Sequence, residues 1–387
     1  MHIMEYSIPY LSILIYFGAS AFFFEHTENR AKQQHIALLS ILVLYVFFAF
    51  RGYVYSDWTS YAELLRDVEW DDVFRITDPH QKAVVREPGF TILCVLCKSI
   101  TSEFAFLVIV ITTIDTALFC HFLKQWDIRN LPFVFMLFIT FDGISIMFNL
   151  YRNQIAIFIF LNSLTYLIQR KPLPYFGLCL LALSFHLSSI VYFPLYFFLD
   201  KKINKWLFLG LSLGFIAFYF AKISVVMSFV KLFGADGALG EKAAFYTEAL
   251  TSSRAFSLTG TIEKVGLTAL IFLYYKELTE LKNRHIIINC VLIYFFFYYV
   301  FAEFQDLSSR LAILFEFSYW IIWIDLVSVL LLRNNKKLLA GTLFLYCFYI
   351  NLMAYNQPIQ QYDNLLFGGM SQQERLRIMN RTFKPGN

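Results

Sequence analysis

Charge is what this sequence has least of. Asp, Glu, Lys and Arg make up 16% of its 387 residues, where a soluble domain carries about 25%. No stretch reads as a glycine-rich phosphate loop of either common type. No polar segment is long enough to fold as a nucleotide-binding domain of its own. Soluble nucleotide chemistry is therefore excluded. The 6 cysteines, Cys94, Cys97, Cys120, Cys179, Cys290 and Cys347, all fall in apolar stretches. Cys94-x-x-Cys97 lacks the second ligand pair of a zinc site, so neither a metal site nor a disulfide framework is read. No internal repeat is visible, which argues against a transporter built from two repeated halves. The formal net charge of +4 belongs to short loops and calls for no nucleic acid.

What the chain has instead is apolar length. It is 58% hydrophobic, with 45 Phe and 24 Tyr, and apolar runs recur at 7–24, 37–50, 103–123, 131–148, 153–168, 206–221, 262–275, 286–302, 311–332 and 338–355. Runs of this kind read as membrane spans, so the expected fold is an all-α polytopic membrane protein with about ten spans. The first run has no basic residue before it and no small-residue cleavage site after it, and reads as a retained span. The stretches 88–97, 174–185 and 188–199 are too short. Twelve helical residues rise about 18 Å against a hydrocarbon core of about 30 Å. The pair 174–199 is expected to form a re-entrant hairpin with 185–189 at its tip.

Residues 1–355 are thus expected to form one integral membrane domain with outer loops 51–87 and 232–261, and 356–387 a tail. The basic loops 30–32, 124–129, 170–171, 201–205, 276–284 and 333–337 all fall on one side of this map, the cytoplasmic side by the positive-inside rule. Both termini, the loop 51–87, Arg152, the His186 turn and 303–310 then lie outside. The tail, with Arg375, Arg377, Arg381 and Lys384, is the basic segment that disagrees. Ser371 to Glu374 has the pattern of a capping box, and Leu376, Met379 and Phe383 follow on one face, as in an amphipathic surface helix.

Against this apolar ground a few ionisable residues stand out. Arg152, in Asn149–Ala156, and His186, in Ser184–Ser188, lie at membrane depth, where such groups face a cavity or a partner. The plainer readings are a snorkelling arginine and a packing histidine. Arg51, Asp57 and Tyr61 open the first outer loop, as interfacial anchors or helix caps. Glu87 precedes a proline-started helix and reads equally as a capping acid. Asp71 and Asp72 read as a solvated pair. Asp115 and Glu316 sit inside apolar runs, and Glu303, Asp306 and Arg310 crowd one end of two runs. An exposed ion pair there would contribute only about 0–1 kcal/mol. Arginine's planar fork suits phosphate, and two or three together suit a diphosphate. Arg51, Arg152 and Arg310 on one side of a bundle therefore point to a lipid diphosphate reached from the bilayer.

Four stretches in order, FRGYVYSDWTSY (50–61), REPGF (86–90), YRNQIA (151–156) and LALSFHLSSIVYFPLYFF (181–198), resemble the EpsG/Wzy-type polysaccharide polymerases of bacterial envelopes. The likeness covers the first half of the chain; the second half matches in hydropathy and in Arg310. The family often has Arg-Gln where this chain has Arg152-Asn153. The resemblance implies a GT-C-like membrane glycosyltransferase layout in the bacterial cytoplasmic membrane, with its site facing the periplasm or cell exterior and no cofactor. It implies undecaprenyl-diphosphate-linked oligosaccharide as substrate, joined by block transfer to an acceptor sugar hydroxyl, with a flippase and a chain-length regulator as partners. In that reading His186 is the base, with Asp57 or Glu87 as alternatives. Arg152 and Arg310 hold the diphosphate, and Arg51 stands with them or shapes the outer loop. A sugar-lipid flippase or exporter, an O-antigen ligase and a membrane acyltransferase are the competing classes.

Overall fold

The computed structural model describes residues 5–74, 87–222 and 257–383; Arg86, Lys384 and most of the expected loop 232–261 lie outside them. Among the described residues the elements are helices, and an isolated antiparallel bridge joins Arg51 to Asn364. Five helices are long and apolar enough to cross a membrane: Ile8–His26, Arg30–Ala49, Phe104–Gln125, Leu131–Asn149 and Arg333–Ala354. A sixth span results if Leu307–Phe315 and Phe317–Val329, bent by 43°, count as one. The chain is an all-α, multi-pass membrane protein. It divides into two compact units. One holds the chain up to Tyr196 and again from Lys337; the other is Phe197–Lys336.

In the first unit, α1 (Ile8–His26) and α2 (Arg30–Ala49) form a hairpin whose second arm is capped by Asn29, its side chain accepting from Ala31 N at 2.9 Å. The short α3 (Trp58–Asp67) and α4 (Pro88–Lys98) follow, then the long α5 (Phe104–Gln125). The next span is broken into α6 (Leu131–Phe138) and α7 (Ile144–Asn149) by a π-turn at Ile139–Gly143. α8 (Tyr151–Ile168) is the centre of the unit: from Asn153 to Leu164 every residue is buried. It packs against α5 and against α9 (Pro172–Phe185). Its first turn carries Arg152, Asn153 and Gln154.

α9 is 14 residues long, about 21 Å, and ends where the hairpin reading places its tip. His186 is extended (φ −154°, ψ 127°), and a 3₁₀ turn over Leu187–Tyr192 follows.

The tail returns to the start of the first outer loop. Gly52 N donates to Asp363 O (3.0 Å), Leu365 N to Phe50 O (2.7 Å) and Tyr55 N to Ile359 O (3.0 Å). A Cβ on Gly52 would stand 2.0 Å from Asp363 Oδ1, so the approach needs glycine. Tyr362 stacks on Phe47 at 4.4 Å and 6°. The tail therefore packs on the segment that follows α2. Ser371 and Glu374 do form the capping box: Ser371 N donates to Glu374 Oε2 at 2.8 Å and Glu374 N to Ser371 Oγ at 3.3 Å. Arg375, on the helix Gln372–Phe383, is buried and donates to Gln361 O and to Asp363.

The second unit is built from Lys205–Phe220, Leu258–Leu273, Arg284–Phe295, Gln305–Ala312 and Phe317–Val329. Arg284 pairs with Asp325 at 2.7 Å and His285 with Asp200 at 2.9 Å.

Candidate functional site

Glu87 is the junction. It occupies the N-cap position of α4, yet its side chain makes no capping hydrogen bond. The carboxylate turns inward instead. Oε2 accepts from Arg152 Nη1, and Oε1 lies 3.2 Å from His186 Nδ1. Glu87 is 8% exposed, His186 18% and Arg152 31%. A near-buried acid between a guanidinium and an imidazole, open on the arginine side, is the arrangement of a site rather than of a surface pair.

Backbone geometry places each member. Pro88 starts α4 directly after Glu87 and fixes the direction of its first turn. Gly89 lets α4 lie against the end of α9: a Cβ there would come within 2.3 Å of Ser184 Oγ and 3.0 Å of Ser184 O. That contact brings Glu87 beside His186, two residues beyond Ser184. The backbone N–H of His186 is bonded to Ala182 O (2.9 Å) and its carbonyl to Ser189 N (3.1 Å), so the ring projects from a fixed corner. Arg152 lies in the first turn of α8, and its Nε donates to Tyr61 Oη at 3.2 Å. Tyr61 comes from α3, its ring 5.5 Å from Phe90 and 4.7 Å from Tyr151.

The electrostatics follow. Burial alone would raise the Glu87 carboxyl, but the hydrogen bond with His186 and the Arg152 charge outweigh it and hold the group below the usual value of 4.5. Glu87 is therefore an anion at neutral pH. An ionised carboxylate only accepts, so the hydrogen of the His186–Glu87 contact sits on His186 Nδ1.

The other residues singled out in the sequence fall elsewhere. Arg51 is 2% exposed and donates both ends of its fork to Phe48 O and Met147 O, between the rings of Phe148 (5.1 Å) and Tyr151 (5.2 Å). It ties α2 to α7 and shapes the loop. Asp57 is the N-cap residue of α3 without a side-chain cap, and Ser56 Oγ donates to it at 3.2 Å. Asp72 is buried and accepts from Glu69 N at 3.0 Å, so it caps a turn. Asp115 is buried in α5, and Glu316 is buried in the second unit. Arg310 is exposed in the last turn of Gln305–Ala312, also in the second unit. Sequence reading gave Tyr61 no part in the site. It passed over Lys264 and Glu263 as well, a buried pair at 3.2 Å with the ammonium 4.4 Å from the Tyr298 ring centroid. A Glu-Lys step inside an apolar run was the available signal.

No curated protein and no solved structure matches the chain. A family model does, over residues 35–365, which is most of the chain and takes in Tyr61, Glu87, Arg152 and His186. The chain belongs to the EpsG family.

Proposed function

We propose that this protein is a polysaccharide polymerase acting on oligosaccharide repeat units carried on undecaprenyl diphosphate, at the outer side of a bacterial cytoplasmic membrane. Family membership supports a polymerase-type role. The observation that carries the finer reading is the single Glu87 carboxylate shared by Arg152 and His186. The layout we assign is a GT-C-like membrane glycosyltransferase of about ten spans, with the shorter apolar helices making up the number.

In the reaction the acceptor sugar hydroxyl attacks the anomeric carbon of the donor chain. A glycosidic C–O bond forms, and the bond from that carbon to the diphosphate oxygen breaks. The electron pair leaves with undecaprenyl diphosphate, and the hydroxyl proton passes to His186 Nε2. A positioned base of this kind contributes about 10²- to 10⁴-fold. Glu87 is the orienting partner: it holds the tautomer that leaves Nε2 free, and it stabilises the imidazolium that forms. The leaving group is already acidic and needs no general acid. It gains negative charge in the transition state, and Arg152 answers that charge with a guanidinium fixed by Glu87 and Tyr61, a contribution of about 10²- to 10³-fold for one such donor. Arg310, in the second unit, keeps the diphosphate-binding role read from its charge alone. Asp57 lies one turn before Tyr61 and is the reserve base.

Deletion of the gene tests this reading. A lost polymerase leaves surface glycan one repeat unit long, a lost flippase leaves none, and a lost ligase leaves unattached polymer. An unchanged glycan ladder in a strain with no second copy would overturn the proposal.

A further inference from the structure

The hairpin of α1 and α2 holds a cavity of about 490 Å³ beside its turn. α1 lines it with Ser20 and Phe23, and α2 with Lys32, His35, Ile36 and Leu39. Steps of three and four residues put each set on one face of its helix. The turn is tied: Gln33 Nε2 donates to Thr27 O at 2.9 Å and to Phe24 O at 3.3 Å, and Asn29 caps α2. His35 Nδ1 donates to Ala31 O at 2.7 Å, which holds the ring to the first turn of α2. The lining is divided by chemistry. Lys32 and His35 come from the start of α2, next to the turn, and Ile36 and Leu39 continue the same face as apolar surface. Phe23 is 62% exposed and Leu39 52%, as on a surface that meets lipid.

The helix itself gives no reason for this charge. A helix N-terminus favours anions and disfavours cations, yet α2 opens with Arg30 and Lys32 and has no acid in its first turn. Among the described residues no ion pair takes up Lys32. Glu25 and Glu28 are exposed close by in the chain, but they do not line the cavity. The cavity also lies far from the Glu87 junction. From Lys32 to Ala49 α2 rises about 26 Å, and Arg51 and the returning tail are at that other end. The loop 30–32 is one of the six basic loops that charge assigns to the cytoplasmic side, where anionic lipids attract basic segments and basic pockets between spans take their head groups. A basic end that continues as an exposed apolar wall matches a phosphate with an acyl chain below it.

We propose that this cavity binds an anionic phospholipid of the bilayer, its phosphate held by Lys32 and His35 and an acyl chain laid along Phe23, Ile36 and Leu39. The inference is independent of the polymerase reading. The test uses purified full-length protein in phosphatidylcholine vesicles with a trace of phosphatidylglycerol that carries a photoreactive diazirine in its acyl chain. After illumination the label should map to the peptides that hold Phe23 and Ile36 to Leu39. Unlabelled phosphatidylglycerol should compete it away, and added phosphatidylcholine should not. Label elsewhere only, or equal competition by the two lipids, overturns the assignment. Competition by undecaprenyl phosphate stronger than by phosphatidylglycerol also overturns it, because the cavity would then be a site for the carrier lipid. These measurements need no variant. A second set tests the charge: Lys32 is exposed, so Lys32→Gln and Lys32→Arg should both insert normally. Lys32→Gln should weaken competition by phosphatidylglycerol about fivefold, the worth of one basic residue at an anionic surface, and Lys32→Arg should keep it. Wild-type competition in Lys32→Gln overturns the role given to Lys32 and with it the site.

Discussion

Replacing Glu87 by glutamine keeps the shape of the junction and removes its logic. The carboxylate now offers an acceptor oxygen to Arg152 and another to His186. An amide has one acceptor oxygen, and its NH₂ group must face either the guanidinium or the imidazole. The charged hydrogen bond lost is worth about 1.5–3 kcal/mol, and Glu87 is 8% exposed, so solvent returns little of it. Facing Arg152, the amide NH₂ would loosen the diphosphate contact. Facing His186, it would favour the tautomer with Nδ1 as acceptor and Nε2 protonated, which cannot act as base, and the rate should fall about 10²- to 10⁴-fold. Glu87→Gln should therefore insert normally, lose about 2 kcal/mol of stability in a thermal-shift assay, and leave glycan of one or a few units on a gel. A full ladder from Glu87→Gln at wild-type protein levels would refute the reasoning, because the carboxylate would then be a spectator.

Other substitutions probe separate links. Arg152→Lys keeps a positive charge without the planar fork, so it should shorten the chain nearly as severely as Arg152→Ala and weaken undecaprenyl diphosphate binding; a full ladder with lysine would reduce Arg152 to an anchor. Gly89→Ala forces a Cβ to within 2.3 Å of Ser184 Oγ, and overpacking of this kind costs about 1–3 kcal/mol; an unchanged melting temperature would mean that α4 and α9 do not pack as described. The stability contributed by Glu87 should be present at neutral pH and disappear as pH falls through its folded value, below 4.5; a stability gap between wild type and Glu87→Gln that persists unchanged through that range would contradict an ionised junction. Cysteines at Asp57 and Asn364 should label from one side of the membrane and a cysteine at Lys171 from the other; labelling of all three from one side would undo the topology.

Much of the first unit was legible because its signals are local. Apolar length gave the helices, Pro88 gave one start, and the two short apolar stretches on either side of His186 gave the turn, although the first of them begins at Pro172 and not at Pro174. The site was legible as residue types but not as a junction. Glu87 reads as a capping acid because it precedes Pro88, and nothing in its neighbourhood tells that the chain places Arg152 and His186 on its two oxygens. Those contacts span 65 and 99 residues, and Gly89 against Ser184 is the packing detail that permits one of them. Arg51 illustrates the reverse case. Its charge allowed a ligand contact or a loop-shaping role, and only the structure shows it buried against two carbonyls and two rings.

The most direct test of the account is reconstitution. Wild-type protein in vesicles, given undecaprenyl-diphosphate-linked repeat units, should form products of two or more units and release one undecaprenyl diphosphate per bond made, and His186→Ala should form none at equal insertion. Polymer from His186→Ala at the wild-type rate, or translocation of the lipid-linked unit by wild-type protein without any joining, would contradict it.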